Sequence, residues 1–238
     1  MRKQNDVYSD LLEIQARIPA GGAVLDGDLM IPSGASGIAV FAHGSGSSRH
    51  SPRNRSVASV IRDAGVGTLL FDLLTREEES VDVFTRHLRF DIELLTRRLI
   101  EATQWLAGQE ETRNLRVGYF GSSTGAAAAL IAAARLGEEI GAVVSRGGRP
   151  DLAGDALPLV KAPTLLIVGG HDETVIELNQ DAYAWLRCEK ELRVIPDATH
   201  LFEEPGALEQ AANYAADWLK GHLKPLPIQR RAAGGAQK

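Results

Sequence analysis

Apolar and polar positions alternate and cluster in a way that divides the chain into short strands and amphipathic helices. Leu11 to Ile18 alternates, with Leu12, Ile14, Ala16 and Ile18 on one face, and Pro19–Gly22 forms a turn. Val24 to Ile31 is a second strand, ended by Pro32-Ser33-Gly34, so the two predict an antiparallel hairpin. Ile38 to Ala42 is apolar throughout, the pattern of a strand buried on both faces. Similar runs recur at Val66–Phe71, Leu115–Phe120, Ile140–Val144, Thr164–Val168 and Leu192–Ile195. Between them, helical spacing predicts helices over Ser56–Ala64, Asp91–Ala107, Ala126–Ala134, Val175–Arg187 and Gly206–His222. On the Val175–Arg187 helix, Leu178, Ala182, Trp185 and Leu186 are expected on the inner face, and Leu157–Ala162 reads as a short connector. Thr75 to Arg89 is charged and irregular and predicts a surface loop.

Strand and helix alternating after a hairpin imply an α/β fold: a mostly parallel central sheet with helices on both faces. Residues 1–223 are expected to form a single domain with no separate lid domain, and 224–238 a disordered tail.

Composition narrows the function classes without naming one. The 238 residues carry 26 Lys and Arg against 31 Asp and Glu, a net charge of −5, with no basic stripe, so nucleic acid is not an expected partner. No apolar run approaches the ~20 residues of a membrane span, and no secretory leader pattern is visible. A cytoplasmic enzyme without membrane association is the expectation, while self-association is left open. Cys188, the one cysteine, excludes an internal disulfide and reads as an inert thiol late in a helix. No Cys/His cluster has zinc spacing, and Gly44 and Gly46 lack the rest of a dinucleotide fingerprint, so neither metal nor cofactor is expected.

The chemistry lies at strand ends. Gly121-Ser122-Ser123-Thr124-Gly125 joins an apolar run to an alanine-rich run, the strand–turn–helix context of a G-x-S-x-G nucleophile elbow. Alone, this pattern fits a structural turn as well. The other strand ends decide: His43-Gly44-Ser45-Gly46 follows one strand, Asp172 follows the next to last, and His200 follows the last. Serine, aspartate and histidine in that chain order form the triad of an α/β-hydrolase.

Five stretches carry a family resemblance: FAHGSGSSRHSPRN (41–54), GYFGSSTGAAAAL (118–130), VSRGGRPDLAG (144–154), LLIVGGHDETVIELN (165–179) and IPDATHLFEEPGALE (195–209). The chain resembles the α/β-hydrolase superfamily over residues 8 to 223. Within it, the chain is most similar to the dienelactone hydrolase-like group, and there to bacterial hydrolases fused to or encoded with phosphoribosyltransferases. Dienelactone hydrolase proper uses cysteine as nucleophile where this chain has Ser123, so the resemblance implies the fold and acyl chemistry rather than dienelactone as substrate.

Chemistry and resemblance together assign roles. Ser123 needs a base to become a nucleophile, and His200 is that base. Asp172 orients the second ring nitrogen, with Glu173 and Asp197 as rivals. Thr124, following the nucleophile, offers one oxyanion N–H, and the resemblance places the second at Ser45. His43 is expected to brace that loop, and Asp72 to anchor another. Arg49, Arg53, Arg146 and Arg149 near the site could bind an anionic substrate group or pair with loop carboxylates such as Asp151. The expected activity is hydrolysis of esters or thioesters of small molecules through an acyl-enzyme. Acyl transfer to another acceptor, or a non-catalytic partner module for a phosphoribosyltransferase, are the alternatives.

Overall fold

A computed structural model describes residues 11–224; the N-terminal ten residues and the tail expected over 224–238, apart from Lys224, lie outside them. Eight strands form one sheet: β1 (Leu11–Ala20), β2 (Ala23–Pro32), β3 (Gly37–Ala42), β4 (Gly67–Phe71), β5 (Arg116–Ser122), β6 (Ile140–Arg146), β7 (Thr164–Gly169) and β8 (Lys190–Ile195). The α-helices are α1 (Pro52–Asp63), α2 (Arg76–Thr85), α3 (Ile92–Gly108), α4 (Thr124–Leu136), α5 (Glu173–Trp185) and α6 (Ala207–His222).

The hairpin forms as the alternation requires, β1 pairing antiparallel with β2, and β2 then pairs antiparallel with β4. From β4 across to β8 every pairing is parallel, in the order β4-β3-β5-β6-β7-β8. Parallel strands covered on both faces must be apolar on both, and β3, β4, β6 and β7 are buried along their whole length. One apolar cluster joins α3, α4 and α5 to one face, and a second joins α1 and α6 to the other. Full burial of each Leu, Ile or Phe in these layers is worth about 1.5–3 kcal/mol.

Strand order sets where a site can form. The chain leaves β3 through α1 to reach β4 on one side, then crosses back to β5 on the other. The crevice between the carboxyl ends of β3 and β5 is therefore the topological switch point, where open α/β sheets bind ligands.

Four expectations need correction. Residues 75–90 are not a surface loop: they fold into α2 and a 3₁₀ turn, Leu88–Phe90. The signal for this helix was Thr75-x-x-Glu78, a capping box in which the Thr75 side chain accepts from the Glu78 N–H and Glu78 accepts from the Thr75 N–H. Trp185 is 63% exposed rather than on the inner face; it is the last residue of α5, and the extended Leu186 that follows it is the one that is buried. Cys188 consequently lies beyond α5, half-buried, with burial raising its thiol pKa. The connector before β7 is longer than expected, a kinked 3₁₀ segment over Pro150–Leu159.

Candidate active site

The elbow is built by steric necessity. A Cβ on Gly121 would lie 2.5 Å from Ala126 Cα, and one on Gly125 would lie 2.1 Å from the Ala42 carbonyl oxygen. Only glycine permits that packing of α4 onto β3 and β5. Between them Ser123 takes φ 50°, ψ −124°, a conformation that costs a side-chain-bearing residue roughly 1–3 kcal/mol. The surroundings hold it there: the Ser123 carbonyl accepts hydrogen bonds from Ala126 N–H (3.1 Å) and Arg149 N–H (3.0 Å). The side chain caps no helix and lines a cavity of about 280 Å³ at the switch point.

Asp172 and His200 meet across two loops that are laced together. Gly170 and His171 donate to the carbonyls of Ile195 (2.8 Å) and Ala198 (2.9 Å). Asp172 Oδ2 lies 2.6 Å from His200 Nδ1, so Nδ1–H donates and Nε2 is left with its lone pair. Glu204 braces the same loop by accepting from the Thr199 hydroxyl at 2.6 Å. His200 and Ser123 line the same cavity. No hydrogen bond joins their side chains here, and such contacts commonly tighten only when substrate binds. The rivals are elsewhere: Asp197 lies 3.7 Å from His171 on the surface, and Glu173 opens α5.

Ser45 and Thr124 lie together, their hydroxyls 3.0 Å apart. Ser45 Oγ–H also reaches the Arg89 carbonyl at 3.2 Å, so Thr124 donates to Ser45 and Ser45 to Arg89. Neither backbone N–H has a backbone acceptor among the described residues, leaving both available to an oxyanion. The histidine before this loop braces it: His43 Nδ1–H donates to the Gly44 carbonyl and Nε2 accepts from Leu73 N–H, both at 3.0 Å. Burial holds the His43 pKa below its ordinary value, which keeps Nε2 an acceptor.

The four arginines separate. Arg49 does not face the cavity. Its guanidinium is buried against Asp72, with Asp28 at 3.7 Å, and its own N–H donates to Asp72 at 2.8 Å. Asp72 is thus the loop anchor expected of it. Arg149 forms a two-pronged pair with Asp151, at 2.8 and 2.7 Å. Arg53 pairs with Glu203 at 3.1 Å on the exposed rim. Arg146 lines the cavity, 8% exposed, with its guanidinium 5.6 Å from the Phe120 ring centroid and 5.9 Å from that of Phe202. Burial, reinforced by the like charge of Arg53, pushes its pKa down to about 10, so it remains a cation at neutral pH. Asn54, which accepts from Arg146 Nη2 at 3.3 Å, was not foreseen. Its signal was Ser51-Pro52, an N-cap followed by proline at the first helical position, which starts α1 four residues earlier than apolar spacing suggests.

Among the described residues no cluster of His, Cys, Asp and Glu could hold a metal ion, and no helix is long and apolar enough to cross a membrane.

Comparison with known proteins gives the family and the fold. Residues 25–222 match the dienelactone hydrolase family. The chain belongs to that family. A crystal structure of dienelactone hydrolase from Anabaena variabilis ATCC 29413 is 58% identical, with a TM-score of 0.89 over 90% of this chain and 100% of that one. Est1E from Butyrivibrio proteoclasticus, 15% identical with a TM-score of 0.71 over 90% and 99% of the two chains, shares the α/β-hydrolase fold. A Mycobacterium tuberculosis (H37Rv) protein named as a phosphoribosyl transferase is 59% identical over 213 residues, 90% of this chain and 47% of that one. The chain spans about half the length of the curated relatives it matches.

Proposed function

We propose that the chain is a serine hydrolase that cleaves ester or thioester bonds of small molecules through an acyl-enzyme. The observation that carries this reading is the Asp172–His200 hydrogen bond of 2.6 Å on the same cavity wall as a strained Ser123. In the proposed reaction, Ser123 Oγ attacks the acyl carbon while its proton passes to His200 Nε2. Asp172 holds the ring and stabilises the imidazolium. The carbonyl oxygen, now anionic, takes hydrogen bonds from the N–H groups of Ser45 and Thr124. Collapse breaks the bond to the leaving group, which takes the proton from His200. Water then adds to the acyl-enzyme by the same route, releasing the acid and restoring Ser123.

A fluorophosphonate probe tests this directly. The wild type should be labelled and Ser123→Ala should not. Labelling of the alanine variant, or an unlabelled wild type with no ester turnover, would overturn the reading.

The phosphoribosyl transferase name of the mycobacterial relatives supports a second reading for the whole protein. Those relatives are about twice the length of the matched part, and that part is the hydrolase-family part. In that reading phosphoribosyl transfer belongs to the remainder, and this chain supplies acyl chemistry beside it. Transfer of a phosphoribosyl group by this chain alone would refute that division.

A further inference from the structure

We infer that Asp82 is a positioning residue for the proposed reaction: it fixes the Arg89 carbonyl, and that carbonyl aims the oxyanion N–H of Ser45. The inference rests on the serine hydrolase reading and adds to it a residue remote from Ser123. Helix α2 is built inside out. Its one buried residue is a carboxylate, Asp82, whose side chain has no exposed surface. The apolar Val81, Val83 and Phe84 all face solvent. Apolar burial therefore does not seat α2, and a buried carboxylate is costly unless its partners are placed for it.

Those partners lie in the 3₁₀ turn that follows. Asp82 Oδ1 accepts from Leu88 N–H at 2.6 Å, and Oδ2 accepts from Arg89 Nε at 2.5 Å. One main-chain and one side-chain bond to adjacent residues fix both the place and the orientation of the turn. The Arg89 carbonyl is thereby presented to Ser45, which donates to it at 3.2 Å and accepts from Thr124 at 3.0 Å. The guanidinium of the same arginine flanks the loop one residue on: a Cβ on Gly46 would lie 3.4 Å from Arg89 Nη1. Asp82, Arg89, Ser45 and Gly46 line one cavity of about 20 Å³, room for a single water and not for a substrate. Asp82 therefore acts on the reaction through Ser45, not by contact.

The Ser45 loop needs such a tether. Ser45 stands between two glycines, and Gly46 takes φ 71°, so the local chain is intrinsically free to swing. An oxyanion donor lowers the barrier only if it is aimed before reaction. The peptide that carries the Ser45 N–H is planar, so its direction is set by what holds its two ends. At one end His43 Nδ1–H and Ser47 N–H hold the Gly44 carbonyl oxygen, at 3.0 and 3.1 Å. At the other end the Ser45 side chain is tied between Thr124 and Arg89. Thr124, the second oxyanion residue, is thus joined to the same chain of contacts that ends on Asp82.

The test is a double-mutant cycle on 4-nitrophenyl acetate, each rate corrected for turnover by Ser123→Ala. Asp82→Ala should lower kcat by about 10- to 100-fold, less than the roughly 10²–10³ for outright loss of an oxyanion donor. KM should stay within about 2-fold, because the contact is made in the transition state. Ser45→Ala keeps the N–H but removes the tether, and should lower kcat by a similar factor. In that background Asp82→Ala should cost less than about 3-fold, since its route to the N–H is already cut. A residue that only braced α2 would lower the melting temperature and give factors that multiply. If Asp82→Ala does not fold, Arg89→Met, which breaks the pair and leaves the carbonyl, takes its place in the cycle with the same loss of effect expected after Ser45→Ala. Factors that multiply, or a kcat within about 3-fold of wild type in the single variant, with Ser123 still labelled by fluorophosphonate, overturn the positioning role and leave the hydrolase standing. Absence of both labelling and turnover in the wild type overturns the hydrolase reading, and the positioning role with it.

Discussion

The two sides of the switch-point crevice are held by different forces. On the elbow side, position comes from backbone contact. Gly121 meets Ala126, Gly125 meets Ala42, and a Cβ on Gly169 would lie 2.4 Å from the Ala198 carbonyl oxygen. The Asp172–His200 pair of that side belongs to the proposed chemistry rather than the scaffold. On the opposite side, the loop of Ser45 and the segment from Asp72 to Asp91 are fastened by charge. Arg49 holds Asp72 and Asp28, Arg98 holds Glu78 through two bonds of 2.6 Å, and Arg89 holds Asp82 at 2.5 Å. The difference teaches where each side is vulnerable. A steric scaffold tolerates no added carbon at its glycines but ignores charge, whereas a charged scaffold fails when one partner is lost.

The largest effect should come from Ser123→Ala. Removing the proposed nucleophile is expected to lower kcat for an activated ester by roughly 10⁴–10⁶. Thermal stability should stay nearly unchanged, because the Ser123 side chain caps nothing and the elbow is fixed by its glycines. Turnover and melting curves measured together check both halves. A large drop in melting temperature would mean that the serine side chain carries part of the scaffold, and the contrast between the two sides would break.

Arg49→Met should do the reverse. The side chain is 10% exposed and its partners Asp28 and Asp72 are 15% and 18% exposed, so the variant leaves two carboxylates facing each other without their cation. Breaking a buried pair from one side costs about 3–5 kcal/mol. Urea unfolding measures it, and Asp72→Asn in the same chain should recover part of the loss. A cost below about 1 kcal/mol, the range of surface pairs, would show that charge does not hold this side.

The same division explains what was legible in the sequence. The sheet, the elbow and the order Ser123, Asp172, His200 were readable because they rest on local signals: apolar runs, glycines at fixed offsets and strand ends. The charged side was read poorly because its partners are distant in the chain. Nothing local distinguishes Arg49, which meets residues 28 and 72, from Arg146, which meets Asn54. Segment 75–90 was mistaken for a loop because α2 is polar and exposes Val81, Val83 and Phe84, so apolar spacing gives no helical stripe. Its capping box was the only local signal, and it is independent of periodicity.

Thr75→Ala tests that signal at smaller scale. Loss of an N-cap is expected to cost about 0.5–2 kcal/mol. Glu78 would keep Arg98, so the damage should be confined to α2, and hydrogen exchange should quicken across residues 76–85 while β3 and β5 stay protected. Faster exchange spreading to β5 would mean that the two sides are not separately held.

The smallest effect is that of pH on His43, the neutral brace of the Ser45 loop. Its folded pKa is depressed by burial, and its Nε2 must stay unprotonated to accept from Leu73 N–H. Unfolded histidine titrates near 6.5, so the stabilising contribution is complete above that pH. As pH falls below about 6.5 the unfolded state takes up a proton that the folded state refuses, and stability declines by at most about 1.4 kcal/mol per pH unit from this group. The carboxylates held below their usual range, Glu78 among them, act in a lower window, under about pH 4.5. Urea midpoints between pH 7.5 and 5.5 therefore isolate the histidines. His43→Gln, which can accept from Leu73 without titrating, should flatten the profile. An equally steep decline in that variant would move the pH dependence to another group and leave the Ser45 loop braced by something other than His43.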